Sequence, residues 1–552
     1  MFKNHPKGLP VLFFTELWER FGFYLMLGIF TLYMIDPSKN GGMGFSKFHA
    51  ADIYGTYLAL VYLTPFLGGL LADRVLGYRT AIFIGGTLMG LGYIGLSLPG
   101  ETSFFISLFI IIIGNGFFKP NISTLVGKLY ENEKFEKYKD SGFNIFYMGI
   151  NIGAFVCNFV AAYLRINYGW GYAFAIAGVG MFIGLIWFTL GQKHVRDVDI
   201  KSEPDEKDMP LPKLFGIIFV PAIIAGAIGW FLPSMIFGEP LLGANSTDAF
   251  LFAAIPIVYY YASLWFNAPR EDKNPIGALL SVMGVVIIFW AVFHQNGSAL
   301  TIWAEENTSR SMPPVLENVA TTFSLTQEVN TSLREVEKVD GHGVPLIDDQ
   351  GNKIIEMGPH PYFNNLSKDE WPSEGENLKL LSTEIFQSIN PFFVVFFTPL
   401  VVGFWNILRR KGKEPSTPGK IAIGMLITAV STLIMVAAVI FTNNGEVKAS
   451  AMWLIINYGI ITIGELCLSP MGLSLVSKLS PKRVAGLMMG GWFVATALGN
   501  KLSGVLSGLW GWFDNKAYFF LINFAGAMLG VFLMFILLKW LKQVVKEHTG
   551  TH

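Results

Sequence analysis

The sequence predicts an all-α polytopic membrane protein, and three observations lead there. Apolar runs of about 20 residues recur along the chain, each long enough to cross roughly 30 Å of hydrocarbon as a helix. The 552 residues are 52% hydrophobic and 14% charged, with mean hydropathy +0.48. Soluble proteins are about 25% charged. Lysine and arginine gather in alternate loops, as in chains threaded through a bilayer. The formal net charge is zero, so there is no basic signature of nucleic-acid binding.

Length and hydropathy place about fourteen transmembrane helices, in order, over 9–35, 50–72, 79–98, 103–127, 142–165, 170–191, 214–237, 249–267, 276–301, 384–409, 419–441, 450–476, 484–509 and 517–541. The first run is too long and too charged for a cleavable signal, so it reads as a retained helix. With the N-terminus inside, the inner loops are 73–79, 128–140, 192–213, 267–274, 409–420 and 478–483. All carry basic residues, and RRKGK at 409–413 is the densest cluster. The outer loops 99–103 and 235–248 carry none, and 442–450 carries only Lys448. Both termini are therefore expected in the cytoplasm. Cys157 and Cys467 lie in separate apolar runs, which suits packing and gives neither a disulfide framework nor metal-site spacing.

The charged stretch KHVRDVDIKSEPDEKDMPLPK divides the helices. The expected organisation is a six-helix bundle over 1–191, a cytoplasmic linker over 192–213, two inserted helices over 214–275, and a second six-helix bundle over 276–552. This is the count of a major facilitator fold, with a substrate path between two bundles. Residues 302–383 form a polar, acid-rich insert on the outer side. It is read first as a tolerated surface insertion, with a small folded cap as the alternative. Its sequons at Asn307 and Asn330 matter only in a secretory pathway.

Charges within the apolar runs point to function. In TELWERFGFY, Glu16, Glu19 and Arg20 are spaced i, i+3 and i+4, so they share one helix face. They lie roughly 10–17 Å into the helix. Each charge near the bilayer centre costs about 2.5–3.5 kcal/mol on insertion scales. The plain reading is a bridge from Glu16 to Arg20 that only orients helices. The functional reading is preferred, because intramembrane charges usually face a bundle interior or a wet cavity. Lys119, in IIIGNGFFKPNIS, belongs to the first half, and Glu465, in IITIGELCLSP, to the second. A zwitterion would fit between Arg20 and Lys119 on one side and Glu465 on the other. His294, in IIFWAVFHQNGSALTIWA, is either a titrating switch or a satisfied polar residue. Gln295, Asn390, Asn151, Tyr24, Tyr62 and Tyr147 could line a polar path, although a single tyrosine more often packs or anchors at an interface. No nucleophile–base–orienter set, metal spacing or phosphate loop suggests an enzyme or a cofactor.

These stretches together resemble the proton-dependent oligopeptide transporter (POT) family of the major facilitator superfamily. Glu16-Leu17-Trp18-Glu19-Arg20-Phe21 resembles its ExxER motif. GGLLADRVLGYRT at 68–80 and FNIFYMGINIGAF at 143–155 are similar to its two signatures. FFKPNIS at 117–123, FQSINP at 386–391 and GELCLSP at 464–470 complete the series in family order. The resemblance implies two six-helix bundles, with two extra helices in bacterial members, and inward proton movement coupled to uptake of di- and tripeptides. Protons are then the coupling ion, and no other cofactor is implied. The resemblance also implies a bacterial plasma membrane, small peptides and lipid as partners, and no nucleic acid. The working unit is expected to be a monomer. Arg20 and Lys119 would hold the peptide carboxylate, with Glu16 and Glu19 in coupling. Glu465, helped by Asn151 and Asn390, would receive the amino group. Tyr24, Tyr62, Tyr147 and Trp492 would shape the pocket, and Ser469 of GELCLSP is counted with it. Asp73, Arg74 and Arg79 would form part of a cytoplasmic gate.

Two positions depart from the common pattern. A second helix-1 arginine is replaced by Leu27, and the helix-7 acid by His294. The joint loss is coherent, since either charge alone would be costly in the membrane. The helix-2 histidine of some animal members is Gly55 here. His294 is expected to replace the lost titrating group; the alternative leaves all coupling to Glu16 and Glu19. The rival functions are a same-fold symporter for another small anion or amino-acid-like solute, and a non-transporting receptor or scaffold. ExxER together with Glu465 favours a peptide, since an anion has no use for an ammonium site.

Overall fold

The computed structural model describes residues 2–131, 133–136, 138–200, 210, 213, 215–338, 346, 354–481 and 484–549. Much of the expected linker, 201–209 and 211–212, and part of the insert lie outside the described residues. The described residues form α1 (Gly8–Ile35), α2 (Lys47–Leu71), α3 (Tyr78–Gly95), α4 (Glu101–Leu129), α5 (Lys139–Tyr168) and α6 (Trp170–Gly191). The inserted pair follows as α7 (Val220–Phe237) and α8 (Asn245–Phe266). The second half comprises α9 (Arg270–Phe293), α10 (Ile389–Arg410), α11 (Thr417–Phe441), α12 (Ala451–Leu479), α13 (Ala485–Gly508) and α14 (Lys516–Thr549). Among the described residues, eleven helical segments are long and apolar enough to cross a membrane. The segments of α1, α3 and α13 are not among them. In α1 the reason is the charge of Glu16, Glu19 and Arg20.

Two large cores organise the bundle. One draws on residues 9–195 and the other on residues 218–545. Small residues bring backbones together, which gives van der Waals contact where apolar burial offers little drive between helices. Gly85 of α3 faces Gly114 of α4, and a Cβ on Gly114 would stand 2.7 Å from the Gly85 carbonyl oxygen. A Cβ on Gly153 of α5 would stand 2.5 Å from the Leu17 carbonyl oxygen of α1.

The expected helix over 276–301 is interrupted. α9 ends at Phe293, a 3-10 turn covers His294–Gly297, and a short helix resumes over Ala299–Glu306. The Thr31 hydroxyl of α1 donates to the Gly297 carbonyl (2.6 Å), and the Tyr54 hydroxyl packs where a Gly297 side chain would start. The break therefore places His294 at the seam between the halves.

The helical path runs to Glu306, so the insert begins later than expected. Among its described residues the insert carries short strand pairs. β2 (Thr326–Val329) pairs antiparallel with β5 (Leu378–Leu381), and β3 (Arg334–Glu337) with β4 (Ile355–Gly358). β1 (Thr308–Ser309) pairs parallel with β6 (Ala449–Ser450). Val329, Tyr362, Phe363 and Leu380 form a small core of their own.

At the insert-bearing end the halves are joined. Arg165 of α5 pairs with Glu384 (2.7 Å), Asn158 donates to Ser388 (3.1 Å), and Lys501 of α13 pairs with Asp52 of α2 (2.5 Å). At the opposite end Arg79–Asp199, Arg409–Glu414 and Lys420–Glu414 each lie within one half. α2 and α13 stay together over a long stretch, from Gly55 against Gly504 to Phe66 against Gly490. α5 and α10 do not. Phe155 meets Phe392 at 6.0 Å, but two turns away Tyr147 is 50% exposed.

Gly114→Val tests the close helix contacts. Overpacking at this backbone approach should cost about 1–3 kcal/mol, read as a clear fall in the thermal unfolding midpoint of purified protein.

Candidate functional site

α1 delivers its charges to the interior because they share one face. Glu16, Glu19 and Arg20 are all buried, at 3%, 0% and 3% exposure. Arg20 bridges Glu16 as the spacing suggests, and it also pairs, more closely, with Glu19. Arg20 Nη2 donates to Glu19 Oε1 (2.6 Å) and Nε to Glu19 Oε2, a two-pronged pair. Glu16 Oε1 is second, 3.3 Å from Arg20 Nε, and Glu16 Oε2 has no hydrogen-bond partner. The guanidinium also lies 4.8 Å from the Phe23 ring centre and 5.9 Å from that of Tyr24. Two carboxylates and one guanidinium leave one negative charge over.

Lys119 of α4 is half-buried and makes no ion pair among the described residues. Its ammonium lies 3.9 Å over the Tyr62 ring, a cation–π contact. The Tyr62 ring lies 6.1 Å from His294, which rests against Trp290 at 5.1 Å. Among the described residues His294 Nδ1 is buried and has no hydrogen-bond partner of standard geometry. A charged His294 and a charged Lys119 would repel across Tyr62.

On the second half, Glu465 of α12 also has no cation among the described residues. Its Oε2 accepts from Asn390 Nδ2 (3.2 Å), which also donates to Thr462 Oγ1 (2.9 Å). Ser469 is half-buried one turn beyond Glu465.

Several expected residues sit elsewhere. Gln295 is buried in the packing of the second half. It donates to the carbonyls of Ala291 (3.3 Å) and Ser503 (3.4 Å) and accepts from Ser507 (2.8 Å). Its amide is occupied by these three partners. Trp492 is buried against Gly472 of α12. Asn151 is half-buried and donates to the Tyr147 carbonyl (2.9 Å). Leu27 is half-buried against the first core, and Gly55 packs on α13. Asp73 accepts from the Tyr78 hydroxyl. Arg79 donates to Gln192 (2.5 Å) and lies 4.0 Å from Asp199. Arg74 is half-buried in the π turn Ala72–Leu76. The described residues hold no group of three or more His, Cys, Asp or Glu able to take a metal ion.

Asp52, Arg165, Glu384, Thr462, Asp199 and Lys501 went unremarked in the sequence. Asp52 and Lys501 stand inside expected spans, so the rule that singled out Glu16 would also have found them.

Two packed helical cores with opposite charges facing a shared interior define a secondary membrane transporter of the major facilitator type. The chain belongs to the POT family, whose sequence profile matches residues 79–318 and 377–523. The unmatched stretch between these segments falls within the insert. The chain is 31% identical over 537 residues to an uncharacterized transporter, YclF, of Bacillus subtilis (strain 168), spanning 97% of this chain and 94% of the relative. It is 29% identical over 548 residues to a di-/tripeptide transporter of Lactococcus lactis subsp. lactis (strain IL1403), spanning 97% and 96%. A crystal structure of a POT family transporter in complex with a thioalcohol conjugated peptide matches with TM-score 0.75 and 26% identity, covering 98% of each chain. The chain is thus a transporter and not an enzyme.

The charge geometry predicts opposite stability effects. Arg20→Leu leaves two buried carboxylates without their cation and should cost about 3–5 kcal/mol. Glu465→Gln removes an unpaired charge and should leave the unfolding midpoint unchanged or higher. Thermal unfolding of the two purified variants beside the parent checks both.

Proposed function

We propose that this protein is a proton-coupled symporter that imports di- and tripeptides by alternating access. One observation carries the reading. Lys119 and Glu465 are opposite charges with no ion partner among the described residues, on different halves of the bundle, Lys119 over the Tyr62 ring and Glu465 held by Asn390. A peptide backbone ends in a carboxylate and an ammonium, so it supplies both missing partners at once. Asn390 orients Glu465 for the ammonium, and Tyr24 and Tyr62 wall the space between. The peptide transporters among its relatives support this cargo.

The chain is read as fourteen crossings, with both termini in the cytoplasm and the insert outside a bacterial inner membrane. The six-helix halves span 1–191 and 276–552, with 214–275 as the inserted pair, and the unit works as a monomer. In that orientation the joined end faces out, and the site is open inward between α5 and α10. Asp73, Arg74 and Arg79 belong to the cytoplasmic gate, with Asp199 as the anchor of Arg79.

The unpartnered Glu16 oxygen makes this carboxylate the first proton acceptor, since both Glu19 oxygens are held by Arg20. Protonation removes the surplus negative charge of the α1 group and frees Lys119 for the peptide carboxylate. Proton loss to the cytoplasm restores the attraction between Lys119 and the carboxylates and releases the peptide. His294 is the second candidate, placed by Tyr62 beside Lys119. A membrane potential of 100 mV adds about 2.3 kcal/mol per charge moved.

Alanyl-alanine uptake into proteoliposomes under an inward proton gradient tests the reading. Uptake should collapse with a protonophore and in Glu16→Gln, while Glu16→Gln should keep peptide counterflow. Absence of uptake and counterflow in the folded parent protein would turn the search to other solutes. In the same assay, His294→Gln with an unaltered pH profile would leave coupling to the carboxylates alone.

A further inference from the structure

One buried ion pair lies away from the central site and joins three parts of the chain. Lys501 of α13 is 0% exposed. Its ammonium is 2.5 Å from Asp52 Oδ1 of α2, 2.6 Å from Thr56 Oγ1 and 3.4 Å from Ser246 Oγ. Asp52 also accepts from two hydroxyls, Thr247 Oγ1 on Oδ1 (3.0 Å) and Ser246 Oγ on Oδ2. Ser246 and Thr247 are the second and third residues of α8, within the inserted pair. One carboxylate is therefore shared by the first half, the second half and the inserted helices.

The surroundings show where α8 is held. Asp52 stands one turn from Gly55, at the tight crossing of α2 over α13. Asp248, next along α8, turns its carboxylate to the Leu241 and Leu242 amides (2.7 and 3.1 Å) and closes the α7–α8 loop. Below this polar knot the seam is loosely filled. A crevice of about 250 Å³ runs between Leu60 of α2, Phe250 of α8 and Leu498 of α13. The hydroxyls at its start key α8 to the seam at this end, and the Tyr261 hydroxyl, which donates to the Leu487 carbonyl of α13 (2.9 Å), does so further along.

A buried ion pair is weak evidence for net stability, because desolvation offsets the attraction. It is well suited to setting register and switching. When the halves part at this end, α2 must leave α13, and Asp52 and Lys501 must each find water or another partner. We propose that the inserted helix pair is a latch on the outer gate: Ser246 and Thr247 hold the Asp52 carboxylate in register with Lys501 and so set how often the insert-bearing end opens. This rests on the alternating-access reading for what opening accomplishes, but the latch itself is testable without any substrate.

The experiment is a double electron–electron resonance measurement on the full chain in liposomes without peptide. Spin labels at Leu98→Cys and Trp512→Cys report on the two halves at the insert-bearing end, where both positions are exposed. The native Cys157 and Cys467 are buried and spared by the label. The parent should show one short distance. Ser246→Ala/Thr247→Ala should raise a longer-distance population by about tenfold, the size expected for losing hydrogen bonds to a charged group. Asp52→Asn/Lys501→Gln, which leaves no unpaired charge and so keeps the fold, should do the same. An unchanged distribution in the serine–threonine variant overturns the latch, whether or not the neutral pair opens the gate. A latch effect in a protein that fails alanyl-alanine uptake would sink the peptide reading and leave the latch standing.

Discussion

The two-pronged pair between Arg20 and Glu19 is the interaction on which the site depends. It sits in the first helix at full burial, where an unpaired charge would be driven out or neutralised. By occupying both Glu19 oxygens it leaves Glu16 as the group with a free lone pair. It engages the guanidinium of that face, and Lys119 on α4 makes no ion pair among the described residues. Lys119 lies over the Tyr62 ring, and Tyr62 lies against His294.

Close helix packing makes this arrangement two-state. Glycine contacts such as Gly85 with Gly114 in the first half and Gly424 with Gly464 in the second hold each half together. Backbones in contact do not deform gradually, so motion is confined to the seam between the halves. There ion pairs and hydrogen bonds join one end, glycine contacts such as Gly55 with Gly504 run along α2 and α13, and α5 and α10 diverge at the other end. Polar contacts that can be exchanged for water suit an interface that must open and close.

The departures from the family pattern have a structural counterpart. Leu27 and His294 remove one outer ion pair, and the seam holds two others, Arg165 with Glu384 and Asp52 with Lys501. Gly55, where some relatives place a histidine, lets α2 approach α13 closely enough for the second of these to form. The break at Gly297 serves the same seam. The Thr31 and Tyr54 hydroxyls reach it from the first half, and it sets His294 at the edge of the central space.

Length, hydropathy and the i, i+3, i+4 spacing on α1 determined much of this protein by themselves. They gave an all-helical membrane protein and the charged groups Glu16, Glu19, Arg20, Lys119 and Glu465, because a bilayer penalises charge and exposed backbone at every position alike. Motif order sufficed for the family. Which charge pairs with which was decided only by the tertiary structure. The spacing suits Glu16 and Arg20, yet the side-chain path favours the adjacent Glu19. Gln295 reads as a polar lining residue, but its neighbours Ser503 and Ser507 claim it. The strand pairs of the insert, the broken helix at His294 and the three-way knot at Asp52 join residues up to 449 positions apart. Periodicity reports the environment of a residue along its own helix. It carries no information about which other helix arrives to meet it.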